Sequence, residues 1–188
     1  MRIAIVNITK PVHGTGDGMT EYTYQLIKNL RMEKGVYVDS FYALDETRRV
    51  NTIGLVSAQS GLGRITLKIL DGKYDVVHIT NQEAGAVARI LKQNGCKAKI
   101  LTTVHDTMRL RSDLHRGFKQ RIYNYIVKRH ILNAIDYSDK LIFDEPKTVK
   151  ELQAFRGFSR YRVILLGVDE RFMAKKARKA KSKEFVVG

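Results

Sequence analysis

Short apolar runs rich in Val, Ile and Leu alternate with segments of helical periodicity from one end of the chain to the other. Several of these runs are apolar at every position, as in strands that are buried on both faces of a parallel sheet. Repeated strand–helix units predict an α/β fold, a doubly wound Rossmann-type and mainly parallel sheet with helices on both faces. The predicted strands are 2–8, 36–42, 75–79, 99–104, 140–143 and 162–166, and the predicted helices are 19–32, 63–70, 83–93, 117–134 and 146–155.

Helix-end signals support these assignments. Pro146 suits the first turn of its helix. Glycines that suit a left-handed residue just past a helix end follow four of the predicted helices: Gly35, Gly72, Gly95 and Gly157. The segment 52–56 is predicted as a possible further strand, weakened by Gly54.

The chain has the length and composition of one large packed domain. It has 188 residues, of which 44% are hydrophobic and 28% charged, and this excludes disordered and collagen-like classes. Cys96 is the single cysteine, so the chain has no internal disulfide and no thiolate metal site, and we expect a reducing, cytoplasmic location. The apolar run near the N-terminus is too short to cross a bilayer and does not resemble a secretory signal.

The net charge of +15 indicates a polyanionic partner, which leaves nucleic acid, anionic lipid and phosphate-bearing ligands open. Much of this charge lies in 109–129 and 171–183, and a solvated helix face with a flexible tail is the alternative explanation. The pattern of elements changes after Leu166. We therefore expect one domain over 1–170, followed over 171–188 by a basic linker and the start of a missing C-terminal domain.

Ligands of open parallel sheets bind beyond the carboxyl ends of the strands. After the first strand comes a loop with Gly14, Gly16 and Gly18, suited to bring backbone N–H groups against phosphate or sugar. Its spacing departs from G-x-G-x-x-G because position 19 is Met, and G-K-[ST] is absent, so an NAD site is disfavoured. A mobile loop with glycines for turn geometry is the alternative.

His105 and Asp106 end another buried strand, where adjacent side chains point to opposite sides, so we expect one of the two to face a cleft. His78, Thr80 and Asn81 form a weaker candidate at the end of a third strand. The chain has no set of residues with metal-ligand spacing, no G-x-S-x-G and no complete catalytic site.

Several segments, taken in order, resemble a known family. They are MRIAIV at the start, GMTEYTYQL from Gly18, YDVVH from Tyr74, TVHD from Thr103, YSDKLI from Tyr137 and LLGVDERF from Leu165. Together they are similar to the N-terminal half of GT-B glycosyltransferases of family 4, over the whole length of the chain.

The resemblance implies a retaining enzyme that uses a nucleotide diphosphate sugar and no other cofactor or metal. It implies that Gly16 and Gly18 approach the donor diphosphate, that His105 contacts the transferred sugar and that Asp106 lines the same cleft. The acceptor-side candidates are His13, His78, Thr80, Asn81 and Arg109. The chain departs from the family pattern at Asp17, at Asp144-Glu145-Pro146 in place of a common Ser, and at Leu166, and it lacks the E-x7-E carboxylates of the C-terminal half.

The leading hypothesis is therefore the acceptor-side half of an enzyme that moves a hexose to a lipid-linked, polysaccharide or small-molecule acceptor. The alternative is a non-enzymatic basic Rossmann module that binds nucleic acid. We disfavour nucleic acid because Tyr123 and Tyr125 have the spacing of packing residues rather than of a stacking platform. The missing C-terminal domain, the nucleotide sugar and an anionic membrane surface are the expected partners, the last of them at the inner membrane face.

Two structural predictions complete the hypothesis. The loop 14–18 and His105 should line one cleft, because they follow strands that we expect to be neighbours. The helix 117–134 should be amphipathic, with an inner stripe of Phe118, Ile122, Tyr125, Ile126 and Ile131 and an outer face of Lys119, Arg121, Lys128 and Arg129.

Overall fold

The computed structural model describes residues 1–14, 18–44, 52–107 and 117–165. These residues form a six-stranded, all-parallel sheet in the order β2-β1-β3-β4-β5-β6. The elements are β1 (Arg2–Thr9), α1 (Gly18–Met32), β2 (Tyr37–Leu44), α2 (Thr52–Asp71), β3 (Val76–Ile79), a 3-10 turn (Gln82–Ala84), α3 (Ala86–Gln93), β4 (Lys99–Val104), α4 (Phe118–Tyr137), β5 (Lys140–Phe143), α5 (Pro146–Phe155) and β6 (Tyr161–Val163).

Alternate residues of β1 face two separate cores. Ile3 and Ile5 pack with Ile27 of α1 on one face of the sheet. Ala4 and Val6 belong to the larger core on the other face, which α2, α3, α4 and α5 cover. Helices therefore lie on both faces, and the predicted doubly wound sheet is confirmed.

Helix α2 shows that the predicted strand over 52–56 is wrong. The helix begins at Thr52 and runs to Asp71 without a break. Its buried residues Ala58, Leu62, Ile65 and Ile69 recur at spacings of four and three, which makes one apolar stripe along a single helix. Because the apolar stripe already includes Ala58, the helix begins well before residue 63, where the sequence predicted its start.

Two of the four predicted left-handed glycines are confirmed. Gly35 has a φ of 78° and Gly95 a φ of 71°. Gly72 and Gly157 do not adopt this conformation, and Lys73 has the positive φ of 49° after α2 instead. At Gly72 the lack of a side chain makes room for an aromatic ring, because a Cβ there would lie 2.2 Å from Cε2 of Tyr74.

The buried stripe of α4 differs from the predicted one. The helix buries Tyr123, Val127, Ile131, Ala134 and Ile135. Three residues of the predicted inner stripe are exposed instead, with exposed fractions of 78%, 37% and 65% for Phe118, Ile122 and Tyr125.

The sequence of α4 contains two apolar stripes, and the one that includes Val127 faces the sheet. Ile131 is buried and Ile126 half-buried, as predicted, and Arg121 and Arg129 are exposed. Lys128 lies with its Nζ 4.6 Å from the centre of the Phe155 ring, and the side chain of Lys119 lies outside the described residues. Within the described part of the chain, no helix is both long and apolar enough to cross a bilayer.

Candidate functional site

The carboxyl edge of the sheet brings together the segments that follow β1, β3, β4 and β5. Strand β3 lies between β1 and β4, so the expectation that the glycine loop and His105 follow neighbouring strands is wrong. Tyr22 of α1 nevertheless contacts His105 across the end of β3. The ring centres of Tyr22 and His105 lie 5.1 Å apart, and the two ring planes are inclined at 76°. The first turns of α1 and the end of β4 therefore meet at one edge.

Both the backbone and the ring of His105 contact polar atoms of the protein. Its backbone N–H donates to Oε1 of Gln82 at 3.1 Å. In the ring, Nε2 lies 3.0 Å from the backbone oxygen of Thr80, and Nδ1 lies 3.0 Å from Oδ2 of Asp144. A carbonyl oxygen only accepts, so Nε2 carries its hydrogen toward Thr80. Both ring nitrogens are thus occupied by oxygen atoms of the protein.

Asp144 is the functional candidate that the sequence analysis missed. It directly follows β5, as His105 directly follows β4, and these strands pair in parallel with Val104 opposite Phe143. The pairing places residues 105 and 144 side by side, and their contact becomes an ion pair whenever the ring is protonated. The sequence signal that could have identified Asp144 was a polar residue directly after each of two successive predicted strands.

A cavity of about 350 Å³ opens beside this pair and is lined by His105, Asp144, Glu145 and Leu165. Glu145 precedes α5, and its Oε1 accepts a hydrogen bond from the hydroxyl of Thr148 at 3.0 Å. Oδ1 of Asp144 is buried and has no hydrogen-bond partner. Two acidic residues, Asp144 and Glu145, are therefore among the described residues that line the cavity.

His78 lies beneath the site. Its Nε2 is 2.8 Å from the hydroxyl oxygen of Thr103, which is in turn 3.3 Å from the hydroxyl of Tyr22. Burial, together with the nearby His105, lowers the pKa of His78 to about 4. His78 is therefore a neutral, buried residue that connects β3 to β4.

The side chains of Thr80 and Asn81 are also buried and form hydrogen bonds within the protein. The hydroxyl of Thr80 accepts from that of Thr23 at 3.0 Å and donates to the backbone oxygen of Val6 at 3.3 Å. Oδ1 of Asn81 accepts from the backbone N–H of Glu83 and caps the 3-10 turn. The acceptor roles of these residues and of His78 remain predictions.

The described part of the glycine loop folds back on α1. Nδ1 of His13 lies 2.9 Å from Oε1 of Glu21, the His13 ring stacks on Tyr24, and the backbone N–H of Gly14 donates to Glu21. Hydrogen bonds from Gln25 and then Gly14 lower the pKa of Glu21 below its usual range.

Gly18 is the first residue of α1 and has open space where a Cβ would lie, whereas Gly16 falls outside the described residues. Asp106 is half-buried next to His105, and Arg109 also lies outside the described residues. Among the described residues, no group of three His, Cys, Asp or Glu side chains is arranged to hold a metal ion.

Comparisons with solved structures show the fold. Sucrose-phosphate synthase from Thermosynechococcus elongatus has 17% identity and a TM-score of 0.62, and the match covers 90% of this chain and 49% of that one. A second structure of sucrose-phosphate synthase from the same organism has 16% identity, a TM-score of 0.52 and 94% coverage of both chains. Apo UGT2 from Phytolacca americana has 9% identity, a TM-score of 0.51, and 95% and 55% coverage. The chain thus spans about half the length of the first of these structures.

A comparison with curated protein sequences gives no match. The family model described as Glycosyltransferase Family 4 matches residues 16–172, which include the start of α1, the His105 edge and Asp144. This range is most of the chain, and it agrees with the resemblance seen in the sequence. The chain therefore belongs to Glycosyltransferase Family 4.

Proposed function

We propose that this chain is the acceptor-side half of a retaining glycosyltransferase that moves a hexose from a nucleotide diphosphate sugar to an acceptor hydroxyl. One observation carries the proposal: the family match runs from the glycine loop through the whole carboxyl edge of the sheet. The domain proper would be 1–170, and 171–188, beyond the described residues, would be the basic linker to a C-terminal domain.

The geometry supports a division of tasks within this half. The start of α1 presents the positive end of the helix dipole, which suits a diphosphate. Gly16 and Gly18 would let the backbone approach it. Donors aimed at the leaving diphosphate stabilise the charge that grows there in the transition state.

The remaining task is to hold the sugar and the acceptor. His105 and Asp106 would line the sugar subsite, and His13 and Arg109 the approach of a lipid-linked, polysaccharide or small-molecule acceptor. Because the E-x7-E carboxylates are absent from the sequence, the second wall of the cleft would come from the C-terminal domain. No metal or further cofactor enters this proposal.

Activity assays with and without a C-terminal half test the proposal. We expect the 188-residue chain alone to bind nucleotide sugars no better than about millimolar, because a few hydrogen bonds of about 1 kcal/mol each do not offset the cost of immobilising the ligand. Adding a C-terminal half from a family member should restore binding and transfer, and His105→Ala should then abolish transfer. Sugar transfer by the chain alone, abolished by His105→Ala, would contradict the half-enzyme proposal.

We further propose that α4 contacts an anionic membrane at the inner face, which suits a lipid-linked acceptor. Phe118, Ile122 and Tyr125 are exposed at spacings of four and three, and Arg121 and Arg129 are exposed on the same helix. Exposed apolar and aromatic side chains flanked by basic ones are typical of helices that lie in a membrane interface. Each basic residue near an anionic surface contributes about 1 kcal/mol.

Vesicle flotation tests this second proposal. The chain should float with phosphatidylglycerol vesicles at low salt. With neutral phosphatidylcholine vesicles it should remain in the bottom fraction of the gradient. Phe118→Ser combined with Tyr125→Ser should weaken flotation, whereas Leu67→Ser, which removes an apolar residue of α2 about as exposed as Tyr125, should not. Equal recovery with both lipids, or salt-dependent binding to RNA without any vesicle binding, would contradict it.

A further inference from the structure

One side chain of α1, that of Tyr22, connects the start of this helix to His105. Gly18 is the first residue of α1, and Tyr22 lies one helical turn, about 6 Å, further along the same face of the helix. The Tyr22 ring contacts the His105 ring, with the two centres 5.1 Å apart. The proposed function assigns the diphosphate to the start of α1 and the sugar to His105. Tyr22 therefore lies between the groups that would hold the two parts of the donor.

The position of Tyr22 is fixed by its hydroxyl and by the next residue of the helix. The hydroxyl lies 3.3 Å from that of Thr103, which in turn lies 2.8 Å from Nε2 of the buried His78. Burial is the main cause that raises the pKa of Tyr22, and the hydrogen bond with Thr103 acts in the opposite direction. The hydroxyl of Thr23 is buried and donates to that of Thr80 at 3.0 Å. These hydrogen bonds hold the start of α1 against the ends of β3 and β4.

The contact with Tyr22 restricts a motion of the His105 ring that its hydrogen bonds leave open. The two ring nitrogens contact the backbone oxygen of Thr80 and Oδ2 of Asp144. Contacts at two atoms still allow the imidazole to tilt about the line that joins them. The Tyr22 ring packs at 76° to the imidazole plane, and such a steeply inclined aromatic pair opposes this tilt. Tyr22 therefore sets the angle of the imidazole relative to the start of α1.

We propose that Tyr22 is a positioning residue for the transferred sugar: by holding the His105 ring at a fixed angle to the start of α1, it aligns the sugar contact with the diphosphate contact. The inference rests on the proposed function, because it assumes that His105 contacts the sugar and that the diphosphate lies at the start of α1. Alignment of this kind lowers the cost of bringing bound groups into register. Tyr22 should therefore matter for the sugar part of the donor and not for the diphosphate part.

NMR titration of the chain with UDP-glucose and GDP-mannose, each compared with its nucleoside diphosphate, tests the inference. The Gly18 amide and the His105 ring resonances are the readouts, and the measured quantity is the affinity for the sugar nucleotide divided by that for the diphosphate. We expect Tyr22→Leu to lower this ratio about 2- to 10-fold, as for loss of one aromatic pair, and to leave the affinity for the diphosphate unchanged. Tyr22→Phe, which keeps the ring, should retain the ratio. A merely structural role would lower the stability in urea unfolding without changing the ratio.

Two further variants sharpen the result. Tyr22→Met, whose flexible side chain fills gaps in a core, should behave like Tyr22→Leu and replaces it if the leucine variant does not fold. Tyr24→Leu is the matched control, because Tyr24 lies on the same helix and stacks on His13 instead of His105; it should keep the wild-type ratio.

The possible outcomes separate this inference from the proposed function. A ratio that Tyr22→Leu and Tyr22→Met leave unchanged, or that Tyr24→Leu lowers equally, would overturn the inference and leave the proposed function standing. A chain that gives no shift with any of the four nucleotides would contradict both.

Discussion

The ring of Tyr22 meets the ring of His105 nearly edge-on, with the centres 5.1 Å apart, although β3 separates the strands that precede them. Tyr22 also reaches Thr103 through its hydroxyl, at 3.3 Å. One α1 side chain thus connects the glycine-loop end of the sheet to the end of β4. This contact supplements the pairing of β1 and β4 with the intervening strand β3.

Replacing Tyr22 should disturb His105 without unfolding the chain. Tyr22→Phe keeps the aromatic ring and should leave the ¹H chemical shifts of the His105 ring almost unchanged. Tyr22→Leu removes the ring current and the aromatic contact, which is worth about 0.5–1.5 kcal/mol, and should shift those resonances and increase their exchange broadening. Identical His105 spectra in Tyr22→Leu and the wild type would show that the contact is not formed in solution.

Two glycines of α2 should respond to alanine in opposite directions. A Cβ at Gly61 would lie 2.4 Å from the backbone oxygen of Ala43 in β2, whereas one at Gly63 would meet nothing within 4 Å. Gly61→Ala should lower the free energy of unfolding by about 1–3 kcal/mol through overpacking, and Gly63→Ala should raise it by about 0.5–1 kcal/mol through helix propensity. Urea unfolding of the two variants measures the difference, and equal midpoints would refute the close approach of α2 to β2.

The fold should lose stability in mildly acidic solution because of two buried histidines. Burial is the main cause that lowers the pKa of both His78 and His130 to about 4, with His105 and Arg89 as the respective secondary causes. An unfolded histidine has a pKa near 6.5, so the unfolded chain binds more protons between these values. The histidines' contribution is complete above pH 6.5 and falls by about 2 kcal/mol each on going from pH 7 to pH 5.

Substitutions that keep the hydrogen bonds isolate this effect. His78→Gln can still reach the hydroxyl of Thr103, and His130→Asn can still accept from the backbone N–H of Ala86, which donates to Nδ1 of His130 at 3.1 Å. Each variant should lose about half of the pH dependence between pH 7 and pH 5 in urea unfolding. Parallel curves for the wild type and both variants would mean that these histidines titrate normally in the folded chain.

Thr80 should behave as a structural residue of the edge. Its hydroxyl joins Thr23 of α1 to the backbone oxygen of Val6 in a fully buried position. Thr80→Val leaves two buried polar groups with one fewer partner and should destabilise the chain by about 1–3 kcal/mol, while Thr80→Ser keeps the hydroxyl and should cost less. Thermal unfolding distinguishes the two, and a Thr80→Val variant as stable as the wild type would remove this structural role.

The sequence alone was sufficient for the succession of strands and helices along the chain, for the parallel sheet and for the family. These conclusions rest on local periodicity and on short ordered motifs, which do not depend on how distant segments meet. All six predicted strands and the two-faced arrangement of helices are present. The strand predicted over 52–56 is wrong because a short apolar run is compatible with either a strand or a helix, and the structure has a helix there.

Long-range contacts decided the rest. The sequence contains two apolar stripes on α4, and only packing against the sheet selected the one with Val127 and left Phe118 and Tyr125 exposed. The pairing of His105 with Asp144 joins residues 39 positions apart, and it arises because β4 and β5 are adjacent and in parallel register. Register and strand order are properties of the assembled sheet. Tertiary structure alone therefore decides which polar side chains form hydrogen bonds within the protein and which line the cavity.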